Sequence, residues 1–230
     1  MRVTKDTCIC ISLAKKAGNF GTTIYNHVFE RDSIDFLYKA FSTNDLKASI
    51  EGARALGIRG ISVTMPYKAA ALDHVDELTP EVLATNATNT IVNENGKLIA
   101  YNTDTDSTRI ILKEQSSRFD TLHILGDGGF SKAVQYSASG LFSNVQIITR
   151  KNWEILPTID EGLIFNCTPV KNLHQKFAEK DGVGFIDADV TTQTGKRMAV
   201  LQAARQFELY TGCIFPTHYV LQNLEKIMGK

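Results

Sequence analysis

Metal-binding signatures are missing from this chain. Its four cysteines, Cys8, Cys10, Cys167 and Cys213, form no C-x-x-C pair and have no histidine set beside them, so no metal site is expected. Four scattered cysteines in 230 residues make no disulfide framework either, and they fit a reducing compartment. No stretch approaches the roughly 18 consecutive apolar residues of a membrane span. The opening Met1-Arg2-Val3-Thr4-Lys5-Asp6-Thr7 has neither an apolar run nor a small-residue cleavage site. The expected location is the cytoplasm. An excess of one charge is lacking too: 25 Lys plus Arg balance 25 Asp plus Glu, which leaves no global field to draw nucleic acid or an acidic membrane. An anionic ligand must then be held by local groups. Charge blocks, heptads and proline-rich runs are absent as well, so the expected partner is a small molecule, bound by a monomer or a homodimer.

What is present is an ordinary globular composition, 43% hydrophobic and 22% charged, long enough for one large domain or two small ones. Apolar runs bounded by turn residues alternate with helical patterns, which predicts an α/β fold. Strands are expected at Cys8 to Leu13, Phe36 to Phe41 and Gly60 to Val63, with helices at Thr22 to Arg31 and Thr43 to Leu56. In the second helix Leu46, Ile50 and Ala53 recur at i, i+4, i+7 and Gly57 is the stop signal. Pro66 suits the first position of a further helix, which would put Lys68 in its first turn. Thr79-Pro80-Glu81 reads as an N-cap, a helical first residue and a first-turn acid. Thr88 to Val92 and Lys97 to Tyr101 read as a hairpin about Asn93-Glu94-Asn95-Gly96. A helix follows from Asp104 to Gln115.

From Thr121 the pattern restarts. Strand Thr121 to Leu125, the turn Gly126-Asp127-Gly128-Gly129, helix Ser131 to Leu141 and strand Val145 to Thr149 complete a βαβ unit. Short strands at Leu163 to Asn166 and Val183 to Ile186 come next, then helices Met198 to Tyr210 and Thr217 to Met228. The seam falls near Asp104.

The glycine turn sits between a strand and a helix, the context a phosphate needs. Backbone without side chains can approach a pyrophosphate, whose charge the helix N-terminus stabilises. Ser131 stands at the usual third small position, with Ala133 beyond it for close helix–sheet packing. Asp127 opposes this reading, since a carboxylate inside the turn repels pyrophosphate unless it faces solvent. The second strand ends in Thr149-Arg150-Lys151 rather than an acid. Two cations there suit the extra phosphate of NADP better than the bare ribose of NAD, or they are simply solvated.

Lys68 and Asp104 form the other candidate constellation. Reduction of a carbonyl needs a proton for the forming alkoxide, and a lysine facing a carboxylate can supply and recover it. Taken singly, Lys68 reads equally as a surface charge and Asp104 as an N-cap.

In this order and spacing the residues resemble the shikimate dehydrogenase family. Val63-Thr64-Met65-Pro66-Tyr67-Lys68 looks like its catalytic-lysine motif, Thr88-Asn89-Thr90 like its substrate-binding asparagine segment, and Asn102-Thr103-Asp104 like its catalytic-aspartate segment. Gly126, Gly128 and Gly129 match its nucleotide turn and Thr149, Arg150 and Lys151 its basic NADP clamp. Asn166-Cys167-Thr168-Pro169 resembles the segment by the nicotinamide, and Leu201-Gln202-Ala203 through Phe207 its late helix. The resemblance implies an α/β substrate domain over residues 1–103, a Rossmann-like NADP domain over 104–200, a cleft between them, and closing helices at 201–230 that return to the first domain. It further implies Lys68 as proton shuttle with Asp104 as its partner. Thr64, Asn89, Asp104 and Gln202 would hold hydroxyls of a ring polyol acid, and Thr168 would border the cofactor. The implied activity is an oxidoreductase of the chorismate pathway of aromatic amino acid biosynthesis.

Two departures qualify the match. Where the family offers a Ser-x-Ser-Pro run for the substrate carboxylate and then a His-Asn pair, this chain has Asn19-Phe20-Gly21-Thr22 and then Tyr25-Asn26. Two lost hydroxyl donors are worth roughly 1.5–3 kcal/mol each against a charged group; Thr22 or Thr23 is the available replacement. This version resembles the shikimate dehydrogenase-like branch. The second departure is length: the stretches between Lys151 and Leu163 and between Asp187 and Lys196 are too short for the usual elements, so a trimmed sheet of four or five strands is expected. A ligand-binding paralogue with little turnover is the alternative reading.

Overall fold

The computed structural model describes residues 3–229; Met1, Arg2 and Lys230, which close the expected segments 1–103 and 201–230, lie outside the described residues. The chain divides into two compact units, one running to Thr103 and resuming at Val200, the other Asp104–Ala199.

The first unit opens with strand β1 (Cys8–Ala14), helix α1 (Phe20–Arg31), strand β2 (Phe36–Ser42), helix α2 (Leu46–Ala55) and strand β3 (Gly60–Val63). A two-residue strand β4 (Glu77–Leu78), helix α3 (Pro80–Thr85) and the hairpin β5 (Thr90–Glu94) and β6 (Lys97–Tyr101) follow. The six strands form one sheet in the order β2-β1-β3-β5-β6-β4. Strand β1 is parallel to both β2 and β3, whereas β5 runs antiparallel to β3 and to β6.

Period-two alternation gives this sheet two apolar faces. On one, Cys10, Tyr38 and Val92 pack with Ile24, Val28 and Phe29 of α1 and with Val200, Phe207 and Tyr210 further on. On the other, Ile11, Leu13, Ile61 and Val63 pack with Leu46, Ile50 and Ala53, the expected stripe of α2. Each large side chain buried in this way contributes about 1.5–3 kcal/mol. Asp45 caps α2 by accepting from the Ala48 N–H at 2.9 Å.

The helix expected from Pro66 is absent. Residues 65–69 form a turn, the Met65–Pro66 peptide is cis, and only a short 3-10 helix follows at Ala70–His74. An α-helix through Lys68 needs its carbonyl to accept from Leu72 N–H. That carbonyl instead accepts from Thr88 N–H at 2.8 Å, and Leu72 N–H turns to Ala69 at 3.1 Å. Lys68 therefore stands in a turn and not in the first turn of an α-helix.

The second unit holds helix α4 (Asp104–Gln115), strand β7 (Thr121–Leu125), helix α5 (Gly129–Ala138) and strands β8 (Asn144–Ile148), β9 (Gly162–Asn166) and β10 (Val183–Asp187). The four strands are parallel, in the order β10-β9-β7-β8. The trimmed sheet thus has four strands. Short 3-10 turns at Trp153–Thr158 and Leu173–Lys176 stand where longer helices were lacking, and Leu156, Leu173 and Phe177 from them pack on Leu125, Ile148 and Ile164. Helices α4 and α5 are stitched by buried hydroxyls, Thr108 Oγ1 to Ser137 Oγ at 2.7 Å and Ser137 Oγ to the Thr105 carbonyl at 2.8 Å. Four of the five β8 residues are exposed.

The last helices are α6 (Gln193–Thr211) and α7 (Thr217–Ile227). Helix α6 starts five residues before the expected Met198 because Thr192 Oγ1 accepts from Gly195 N–H at 3.0 Å, an N-cap bond. Helix α5 ends at Ala138 rather than Leu141, where Ser139 leaves the helical conformation. Among the described residues no helix is long and apolar enough to cross a membrane.

Gly60 carries a packing constraint that its neighbours do not. A Cβ there would overlap Cδ1 of the fully buried Tyr210 ring. Gly60→Ala is expected to lower stability by roughly 1–3 kcal/mol, read as a lower urea midpoint with an unchanged slope.

Candidate functional site

In the first unit β3 and β5 set the geometry. Their register puts Ser62 opposite Thr90, so the residues beyond stay side by side: Val63 N–H donates to the Asn89 carbonyl at 2.8 Å. The bond from Thr88 N–H to the Lys68 carbonyl draws the following turn to the same end of these strands. Thr64 (exposed), Lys68 (half-buried) and Asn89 (buried) are thereby gathered from two separate stretches of sequence.

Asn89 is held firmly. Its Oδ1 accepts from Thr103 N–H at 2.8 Å, Thr103 Oγ1 at 3.2 Å and Thr90 Oγ1 at 2.8 Å. An amide oxygen with three donors has its orientation fixed, and its nitrogen is fixed with it. Gln202 is half-buried on α6. Thr22 lies in the first turn of α1, where its Oγ1 accepts from Ala40 N–H at 3.2 Å. The Tyr25-Asn26 pair is built into the framework. Asn26 exchanges two 2.8 Å bonds with the backbone of Tyr38, and Tyr25 Oη donates to Gln206 Oε1 at 2.8 Å. Burial pushes the Tyr38 phenol up to about 12 and those of Tyr25 and Tyr210 well above the ordinary range, so all three stay protonated. Gln206 was not anticipated; the available signal was a polar residue on a helical stripe otherwise made of Ala203, Phe207 and Tyr210.

Asp104 belongs to the second unit. It is 4% exposed and opens α4, its carbonyl accepting from Ser107 and Thr108 hydroxyls at 3.0 and 2.8 Å.

All but one of the remaining candidates line one cavity of about 870 Å³ in that unit: Gly126 and Gly128 of the turn, Thr149, Arg150, Lys151 and Thr168, with Trp153 beside them; Gly129 stands outside its lining. Gly126 has φ +100°, and a Cβ on it would lie 3.2 Å from Thr168 Cγ2, so this corner admits only glycine. At Gly128, the N-cap of α5, a Cβ would meet nothing within 4 Å. That open space lies at a helix N-terminus, where unpaired N–H groups receive an anion. Gly129 begins the helix, and Ser131 Oγ pins the turn by donating to the Gly126 carbonyl at 2.6 Å. Asp127, Arg150 and Lys151 are exposed. Two asparagines shape the walls. Asn152 Oδ1 accepts from Thr149 N–H at 2.7 Å, and the buried Asn166 Oδ1 accepts from Thr168 N–H and Oγ1 at 3.0 and 2.7 Å. A cavity of this size, lined by two cations and part of a glycine turn, suits a phosphorylated dinucleotide.

Comparison with known proteins gives a consistent result. A family model described as the shikimate dehydrogenase substrate binding domain matches residues 20–91. The shikimate dehydrogenase-like protein of Haemophilus influenzae is 33% identical over 251 aligned positions, covering 91% of this chain and 92% of the relative. The shikimate dehydrogenase (NADP(+)) of Chlorobaculum tepidum is 30% identical over 271 positions, covering 90% and 92%. Both alignments are longer than this chain, so each relative has segments that it lacks. A solved shikimate 5-dehydrogenase-like structure superposes with a TM-score of 0.83 at 28% identity, covering all of both chains.

Cys167 sits on the cavity wall with its thiol pushed up, first by burial and then by the charge of Asp187. Because the thiolate is the reactive form, Cys167 is expected to react with an aromatic disulfide reagent far more slowly than the exposed Cys8 and Cys213. Mass spectrometry of the labelled sites checks this, and equal labelling would contradict the described wall.

Proposed function

The chain belongs to the shikimate dehydrogenase family, and on that premise we propose that it moves a hydride between NADP and a ring carbon of a polyol carboxylate such as shikimate or quinate. The observation that supports this reading is the Thr88–Lys68 backbone bond, which ties the main chain of Lys68 to the segment that carries the firmly oriented Asn89. The cofactor assignment is supported by the fit of the cavity: open space at Gly128, a helix N-terminus behind it, and Arg150 and Lys151 where NAD recognition would need an acid. NAD remains the lesser cofactor on the same argument.

Bound NADP supplies or accepts the hydride. In reduction, the Lys68 ammonium gives a proton to the carbonyl oxygen as the ring carbon gains its hydrogen, so a hydroxyl forms without a free alkoxide. In oxidation the neutral amine takes that proton back. Asp104 follows Thr103 in the chain, next to the residue that bonds Asn89; it is assigned as the partner of Lys68 and as an acceptor for a ring hydroxyl. Thr64, Asn89 and Gln202 hold the other hydroxyls, and Thr22 contributes toward the carboxylate.

A second reading, a paralogue that keeps the substrate cleft and binds the acid but has lost competent cofactor binding and so turns over inefficiently, is favoured by the trimmed four-stranded sheet of the second unit and by Asp127 inside the glycine turn. Titration calorimetry separates the two, since the second reading requires no binding even at millimolar NADP.

Lys68→Ala is expected to lower kcat for shikimate oxidation about 10²–10⁴-fold with an unchanged circular dichroism spectrum; equal rates would remove the proton-shuttle role. Trp153, the chain's one tryptophan, reports the cofactor directly. NADPH should quench its fluorescence saturably, and Arg150→Ala should raise the midpoint by roughly ten-fold or more, the loss expected of a charge-assisted bond.

A further inference from the structure

A buried polar cluster in the first unit runs through the hydrophobic core without belonging to the proposed reacting groups, and Gln206 is its centre. The side chain is 3% exposed on α6. Its amide makes four contacts. Oε1 accepts from Tyr25 Oη at 2.8 Å and from Ser62 Oγ at 3.2 Å. Nε2 donates to the Asn89 main-chain carbonyl at 3.0 Å and to Thr90 Oγ1 at 2.8 Å. A carbonyl can only accept, which fixes the end of the amide that carries nitrogen. Thr90, having received that bond, turns its own proton to Asn89 Oδ1 at 2.8 Å. Gln206 therefore holds both oxygens of Asn89, one directly and one through Thr90.

We propose that Gln206 is a positioning residue that sets the direction in which the Asn89 amide meets a ring hydroxyl of the substrate. The proposal rests on the reading of Asn89 as a substrate ligand. The division of the contacts argues against packing alone. The donor half of the amide is spent wholly on Asn89 and Thr90, and the acceptor half anchors it to α1 and β3 through Tyr25 and Ser62. Ser62 is fixed in turn by Tyr210 Oη at 3.0 Å. The strand pairing does not need Gln206, because the Asn89 carbonyl also accepts from Val63 N–H at 2.8 Å. Loss of the amide leaves the sheet joined but releases the Thr90 hydroxyl from its assigned direction. Substrate geometry is then affected more than the fold.

Steady-state kinetics of the full chain with shikimate and NADP+ test this, using Gln206→Glu and Gln206→Leu. At pH 8 both variants should raise KM for shikimate about ten-fold, with KM for NADP+ unchanged and kcat less affected. A glutamate at 206 keeps the acceptor but lacks the donor until it is protonated. The ratio of its KM to that of the native chain should therefore fall as pH is lowered, whereas the ratio for Gln206→Leu stays high. The titratable groups facing this position are Tyr25 and Tyr210, with Tyr38 and Cys10 beside them. Burial pushes all four up, Tyr38 and Cys10 to about 12, so only the introduced carboxyl titrates in the range used. Shikimate KM values within two-fold of native at every pH overturn the proposal, as does a parallel rise of both KM values. If Gln206→Leu does not fold, Gln206→Glu alone decides through its pH dependence. A native chain without shikimate turnover refutes the proposed function instead. Crystal structures of the native chain and Gln206→Glu then read the positioning role directly: a reoriented Asn89 carboxamide supports it and an unmoved one overturns it.

Discussion

One backbone hydrogen bond, from the Thr88 amide to the Lys68 carbonyl, constrains the chain at the ends of the central strands β3 and β5 of the six-stranded sheet. It occupies the acceptor that a helix would have used, so the chain beyond Pro66 stays a turn. It also ties that turn to the hairpin that carries Asn89. A buried carbonyl left without a donor costs about 1–3 kcal/mol, so the turn and the hairpin hold each other in place. The main chain at the lysine is thus positioned by a tertiary contact, and helical periodicity has no part in it.

This explains which features could be read from the amino-acid sequence. The stripe Leu46, Ile50, Ala53 and the Asn95-Gly96 hairpin turn are local patterns, and local physics is enough to form them. The Lys68, Asn89 and glycine-turn strings are short as well, which is why they stood out as candidates. The Pro66 helix failed because its decisive partner, Thr88, lies twenty residues away. Gln206 was hidden more deeply, since its bonds span 116 and 117 positions. The early start of α6 was a different kind of miss. Thr192 is an ordinary cap residue, but without a glutamate or glutamine three positions on it lacked the fuller signature.

The two units solve the burial problem differently. In the first, both sheet faces are covered by long helices, and buried tyrosine hydroxyls are satisfied within the network around Gln206. In the second, four parallel strands are closed partly by single 3-10 turns. Parallel sheets are normally buried on both sides, and the exposed β8 shows the consequence of the missing segments. The cavity walls depend on two asparagines, Asn152 and Asn166, which turn short loops back onto strand ends. Compact loops of this kind keep Thr149 and Thr168 in place with little chain.

The thin cover over β8 has a thermodynamic consequence for the second unit. With little apolar area to spare, its folded population responds strongly to any molecule that binds the native state alone. A ligand held at a hundred times its dissociation constant adds about 2.7 kcal/mol, a large share of what a small unit has in reserve. Nucleotide binding would then strengthen this half of the chain against unfolding, independently of any reaction it takes part in.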